Sequence, residues 1–99
     1  MKVCIYGAGA IGGWIGSGLA RAGCSVSVVA RGATLDALQL HGLRLREGDR
    51  ITSQAVASSA LPADLGVQDL VVLAVKAPSL PDVARQIAPL LGPQTLVLT

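Results

Sequence analysis

The residues Gly7-Ala8-Gly9-Ala10-Ile11-Gly12 have the spacing G-x-G-x-x-G. Two cations, Arg31 and Lys76, each follow directly on a valine-rich apolar run. A glycine turn that opens a helix leaves backbone N–H groups unpaired and aimed at an anion, where the helix dipole adds its attraction. Gly7 would allow a tight turn out of a strand. Gly9, without a Cβ, would admit a pyrophosphate to the backbone, and Gly12 would let the helix pack close to a sheet. The stretch Gly7, Ala8, Gly9, Ala10, Ile11 and Gly12 is thus the candidate site for the pyrophosphate of a dinucleotide, with the N–H groups of Ala10, Ile11 and Gly12 as donors. The competing reading is a tight strand–helix turn with no ligand. Gly12, Gly13, Gly16 and Gly18 fall in one short helix, each costing about 1 kcal/mol against Ala. That pattern implies that something approaches this backbone closely.

Arg31 bears on which dinucleotide. NAD-preferring domains carry Asp or Glu about 20 residues after the turn, to accept hydrogen bonds from the ribose. Ala30-Arg31-Gly32 stands there instead. A guanidinium accepts no hydrogen bond, but it pairs with a 2′-phosphate and stacks on a base. NADP(H) is therefore expected over NAD(H). Asp36 lies beyond the strand and is a poor substitute for the missing acid. Lys76 would contact the ribose or phosphates of the cofactor, or a substrate carboxylate. With no acid at these strand ends, the binding edge is expected to be positive.

The elements that must hold these residues follow from the pattern. Lys2–Tyr6 reads as a strand and Ala10–Ala22 as a helix with Ile11, Ile15, Leu19 and Ala22 on one stripe, ended by Gly23. Ser25–Ala30 is a second strand. Leu35 and Leu38 mark a short helix before Gly42. Leu43–Arg46, a turn at Glu47-Gly48-Asp49 and a return run Ile51–Ala57 predict a hairpin. Asp69–Val75 is a continuous apolar strand, as in a parallel sheet covered on both faces. Ser79 is placed to cap a helix carrying Leu80, Val83, Ala84 and Ile87, with a kink or end at Pro89, and Thr95–Leu98 starts another strand. This alternation predicts an α/β, Rossmann-type three-layer domain with a mainly parallel sheet, truncated at its last strand.

The composition narrows the classes. The 99 residues are one domain's worth of chain, with 52% apolar and 14% charged residues and a net charge of +2. Disorder is excluded by so much apolar content, and the low charge suggests an additional covered surface, through which a homo-oligomer would form. No apolar run approaches the ~18–20 residues of a membrane helix. A mild charge, no basic run and only Tyr6 and Trp14 as aromatics give nucleic-acid binding little support. Cys4 and Cys24 form no CxxC and read as reduced thiols of a cytoplasmic protein. No metal-ligand cluster and no Ser-His-acid set can be assembled around the single His41, which reads as a helix-end or surface residue, while Trp14 reads as a packing residue or else as a contact for a missing domain.

The string Lys2–Gly12 with Gly13 and Gly16, Ala-Arg-Gly at 30–32 and Val-Lys-Ala at 75–77 together resemble the ketopantoate reductase (2-dehydropantoate 2-reductase) family. The resemblance covers essentially all of residues 1–99, as that family's N-terminal NADP(H)-binding domain. It implies reduction of a 2-keto acid, 2-dehydropantoate, to the 2-hydroxy acid pantoate in pantothenate biosynthesis. It further implies that residues 7–12 hold the pyrophosphate, Arg31 the 2′-phosphate, and that Lys76 touches the cofactor near the reacting centre. The family's C-terminal helical domain, which supplies the acid and the substrate groups, is not in these residues, so no catalytic residue is expected within them and the chain alone should be inactive. Pro78 and Ser79 depart from the family's usual aromatic or polar residue followed by Gln or Thr, which leaves the keto acid open. Two other readings remain: a free-standing NADP(H)-binding or sensing module, and the cofactor domain of another NADP-dependent dehydrogenase.

Overall fold

The structure is a computed structural model, and it describes residues 1–7 and 10–99, with the backbone alone for Ala10 and Ile11. Four of the predicted strands form as expected in kind: β1 (Lys2–Tyr6), β2 (Ser25–Val29), β6 (Leu70–Leu73) and β7 (Leu96–Leu98). With β5 (Ala57–Ser59) they make a five-stranded sheet in the order β5-β2-β1-β6-β7, every pairing parallel. The register places Lys2 beside Ser25 and Val3 beside Leu70. β1 is central, and its neighbours are reached by connections that run in opposite directions from it. That is the strand order of a dinucleotide-binding fold, with the switch point between β1 and β6.

The side chains of β1 alternate between two cores. Val3 and Ile5 join Val26, Val28, Val72 and Leu38 on one face, and Cys4 and Tyr6 join Val29, Val71, Val83 and Leu90 on the other. Helix α1 (Ala10–Arg21) and helix α2 (Gly32–His41) supply Ile15, Leu19, Leu35 and Leu38 to the first face. Helix α3 (Leu80–Gln86) supplies Val83 to the second. Three layers result, because a parallel sheet whose strands are apolar on both sides must be covered on both.

Several expectations need correction. The return run Ile51–Ala57 is not one strand. β3 (Leu43–Glu47) pairs antiparallel with β4 (Arg50–Gln54), and the chain then leaves the hairpin so that Ala57–Ser59 can pair with β2. That transfer gives β2 a second neighbour, and Ala30 N–H donates to the Ser59 carbonyl at 3.1 Å. Ser79 stands at the N-terminus of α3 but makes no capping hydrogen bond, since its own backbone is already helical. Helix α2 begins at Gly32, directly after Arg31. Trp14 is not a packing residue: it is 66% exposed. Helix α3 ends at Gln86, and a short 3-10 turn at Ala88–Leu90 carries Pro89, in line with the expected end there. Both cysteines are free thiols; Cys4 is buried.

Candidate functional site

The carboxyl ends of β1, β2 and β6 meet at one hollow of about 210 Å³. Gly7 leaves β1 with φ 95°, a conformation that L side chains rarely adopt. Its N–H donates to the Val29 carbonyl at 2.9 Å, and a Cβ placed on it would stand 2.9 Å from Val75 Cγ1 and 3.1 Å from the Ala74 carbonyl oxygen. The turn is thus wedged between the ends of β2 and β6. Gly12, one turn into α1, is tighter still: a Cβ there would lie 2.8 Å from Ala74 Cβ and 2.9 Å from the Gly7 carbonyl oxygen. The helix start is thus pressed onto the sheet at the carboxyl end of β1. Ala8 and Gly9, and the side chains of Ala10 and Ile11, lie outside the described residues.

Close approach does not explain every glycine of α1. Gly16 would meet Leu43 Cδ2 at 2.8 Å and Ile5 Cγ1 at 3.3 Å, whereas Gly13 has only Leu43 Cδ1 at 3.9 Å and Gly18 has nothing within 4 Å.

Arg31 follows β2 with an extended backbone, at the position just before α2, and its side chain is exposed. It lines the hollow together with Gly7, and among the described residues it makes no salt bridge. Lys76 is exposed on the segment after β6, just ahead of a 3-10 turn at Ala77–Ser79. Its neighbour Val75 lines the hollow, but Lys76 itself does not. The structure therefore brings Gly7 and Arg31 together, packs Gly12 against the same turn, and leaves Lys76 at the rim. Among the described residues lining the hollow, Arg31 is the one that carries a charge.

The sequence pattern did not point to two further groups on these walls. Tyr6, the last residue of β1, is 5% exposed, and its hydroxyl donates to Gln86 Oε1 on α3 at 3.3 Å. Burial pushes the Tyr6 phenol above its ordinary range; the Arg31 guanidinium pulls it back, and Cys4 raises it further. The Cys4 thiol beneath is pushed up to about 11 by burial, which the Ser27 side chain and the Val29 backbone only partly offset. Ser79, Val83 and Gln86 all line the hollow. Their 4- and 3-residue spacing is the one signal that could have placed Gln86 on the face of α3 toward the strand ends. Among the described residues no group of three or more His, Cys, Asp or Glu is arranged to hold a metal, and no helix is long and apolar enough to cross a membrane.

A family profile described as "Ketopantoate reductase PanE/ApbA" matches residues 3–99. The chain belongs to the ketopantoate reductase family. It is 52% identical, along its whole length, to a 2-dehydropantoate 2-reductase of Mesorhizobium japonicum, and covers 31% of that protein. A crystal structure named as a ketopantoate reductase, from Ralstonia solanacearum MolK2, superposes with a TM-score of 0.91 at 54% identity, over 96% of this chain and 30% of the other. A D-mandelate dehydrogenase solved with NADH and anilino(oxo)acetate superposes with a TM-score of 0.86 at 27% identity, over 98% of this chain and 32% of the other. The chain thus spans about a third of the length of the ketopantoate reductases it matches.

Proposed function

We propose that these residues are the NADP(H)-binding part of a cytoplasmic oxidoreductase that reduces 2-dehydropantoate to pantoate in pantothenate biosynthesis. The observation that carries this reading is the convergence of Gly7 and an unpaired Arg31 on one hollow at the switch point, with Gly12 packed against the same turn. The residues fit the cofactor: the turn is narrow enough to require glycine, and a cation stands where an NAD-selective acid would repel a 2′-phosphate. When bound, the reduced nicotinamide supplies a hydride to a ketone carbon.

The chain's own part is to bind and orient. The backbone of Gly7, Ala8, Gly9, Ala10, Ile11 and Gly12 holds the pyrophosphate at the start of α1. Arg31 pairs with the 2′-phosphate. Lys76, at the rim, reaches the ribose or the substrate carboxylate. The acid that protonates the new alkoxide and the groups that hold the keto acid come from a further, helical domain, so residues 1–99 alone turn over no substrate. The NADH-bound D-mandelate dehydrogenase favours a second reading, in which the same edge serves NAD(H) and a different 2-keto acid.

Parallel titrations with NADPH and NADH, on the wild type and on Arg31→Ala, separate these readings. Tighter NADPH binding, lost in Arg31→Ala while NADH binding is kept, is the expected result. Equal binding of both cofactors would remove the phosphate role of Arg31.

A further inference from the structure

The cation assigned to the 2′-phosphate borders two hollows. Besides the one at the strand ends, Arg31 lines a larger hollow of about 570 Å³. Leu61 and Pro62, from the segment after β5, form part of its wall, and α3 contributes Arg85. Among the described residues, Arg31 and Arg85 are the only cations that line either hollow, and no acid lines them. Lys76 borders neither.

The charge of the ligand asks for more than one cation. A phosphate monoester carries about −1.5 to −2 charges at pH 7 and three strong acceptor oxygens. One guanidinium offsets one charge and, when it pairs side by side, engages two oxygens. Arg31 alone would leave roughly one negative charge unmatched. The second guanidinium on this space is held only by Asp82, three residues earlier on α3. Both side chains of that pair are largely open to water, at 70% and 55% exposure. An ion pair so exposed contributes little, so a phosphate dianion is a stronger partner for Arg85 than the carboxylate is. Asp82 itself lines neither hollow.

We propose that Arg85 is a second contact for the 2′-phosphate and shares with Arg31 the selection of NADPH over NADH. Asp82 is its competitor: it holds the guanidinium while the cofactor is absent and gives it up when the phosphate arrives. The inference rests on the cofactor reading of the same edge.

Direct binding of NADPH and NADH to the purified protein, compared with Arg85→Ala, Asp82→Asn and Arg31→Ala, tests this. Arg85→Ala should weaken NADPH binding about tenfold, the loss of one charge-assisted contact. Its NADH binding should be unchanged, which also shows that the variant is folded. Asp82→Asn should act in the opposite direction and tighten NADPH binding by about twofold, because the competing carboxylate is gone. If Arg85 serves only its pair with Asp82, both variants would shift the two cofactors alike and leave the ratio of NADPH to NADH affinity intact. That result overturns the inference, and the cofactor reading stands so long as Arg31→Ala lowers the ratio. Equal binding of both cofactors by the wild type, or binding of neither, would overturn both.

Discussion

One added methyl group separates the glycines of α1. At Gly12 it would meet the Gly7 carbonyl oxygen and Ala74 Cβ, neither of which can swing away; at Gly18 it would meet nothing. Gly12→Ala should therefore destabilise the fold and weaken NADPH binding together, whereas Gly18→Ala should stabilise it by about 0.5–1 kcal/mol with binding unchanged. Urea midpoints and cofactor titrations on the two variants check this. The buried Cys4 thiol sets an alkaline limit. Folded, it keeps its proton up to about pH 11; unfolded, it loses it near 9.0. Ionisation of the unfolded chain then draws the equilibrium away from the fold, so stability should be intact below pH 9 and fall by about 2–3 kcal/mol by pH 11. Tyr6, also raised, acts in the same direction, beginning as pH rises through its ordinary value of 10.0. Unfolding at stepped pH should show this loss in the wild type and a smaller one in Cys4→Ala.

Between α2 and β3, Gly42 joins two elements that no other residue could connect in this way. Its φ is 75° with ψ −168°, its N–H donates to the Leu38 carbonyl, and a Cβ would stand 2.5 Å from the Gln54 carbonyl oxygen of the neighbouring strand β4. Gly42→Ala should cost more than about 3 kcal/mol, from backbone strain and collision combined, and a midpoint loss smaller than that of Gly12→Ala would count against it. Much of this layout is legible in the residues. Gly7 and Arg31 both directly end valine-rich or apolar runs, and in an open parallel sheet strand ends face one edge, so their meeting follows from the chain order. Three features were not legible. The stretch Ile51–Ala57 has no internal break signal, because the move of Ala57 to β2 is decided by the open edge of another strand. Gln86 is a polar residue on an exposed helix face, which reads as solvated until Tyr6 is seen to reach it. Trp14 sits on the same helix as the core residues Ile15 and Leu19, and only the placement of the hairpin reveals that its ring is left exposed.

For the molecule as a whole, apolar surface remains at one side of the sheet. Leu96, Val97 and Leu98 of β7 are 65%, 42% and 55% exposed, and β7 has one paired edge and one open edge. Such an edge is a template for another chain. The 99 residues alone should therefore self-associate as concentration rises, and Val97→Lys should suppress this in sedimentation velocity; a wild type that stays monomeric throughout would refute it. The central position of β1 has a consequence in time as well as in space. The strand that both flanks of the sheet depend on is made before either of its neighbours, and its partner β6 follows only after β2, α2 and the hairpin. At ordinary rates of translation the interval from the end of β2 to the end of β6 lasts roughly 2–9 s. For that period one hydrogen-bonding edge of the nascent sheet is open, so the glycine turn is fully walled in only once β6 has been made as well.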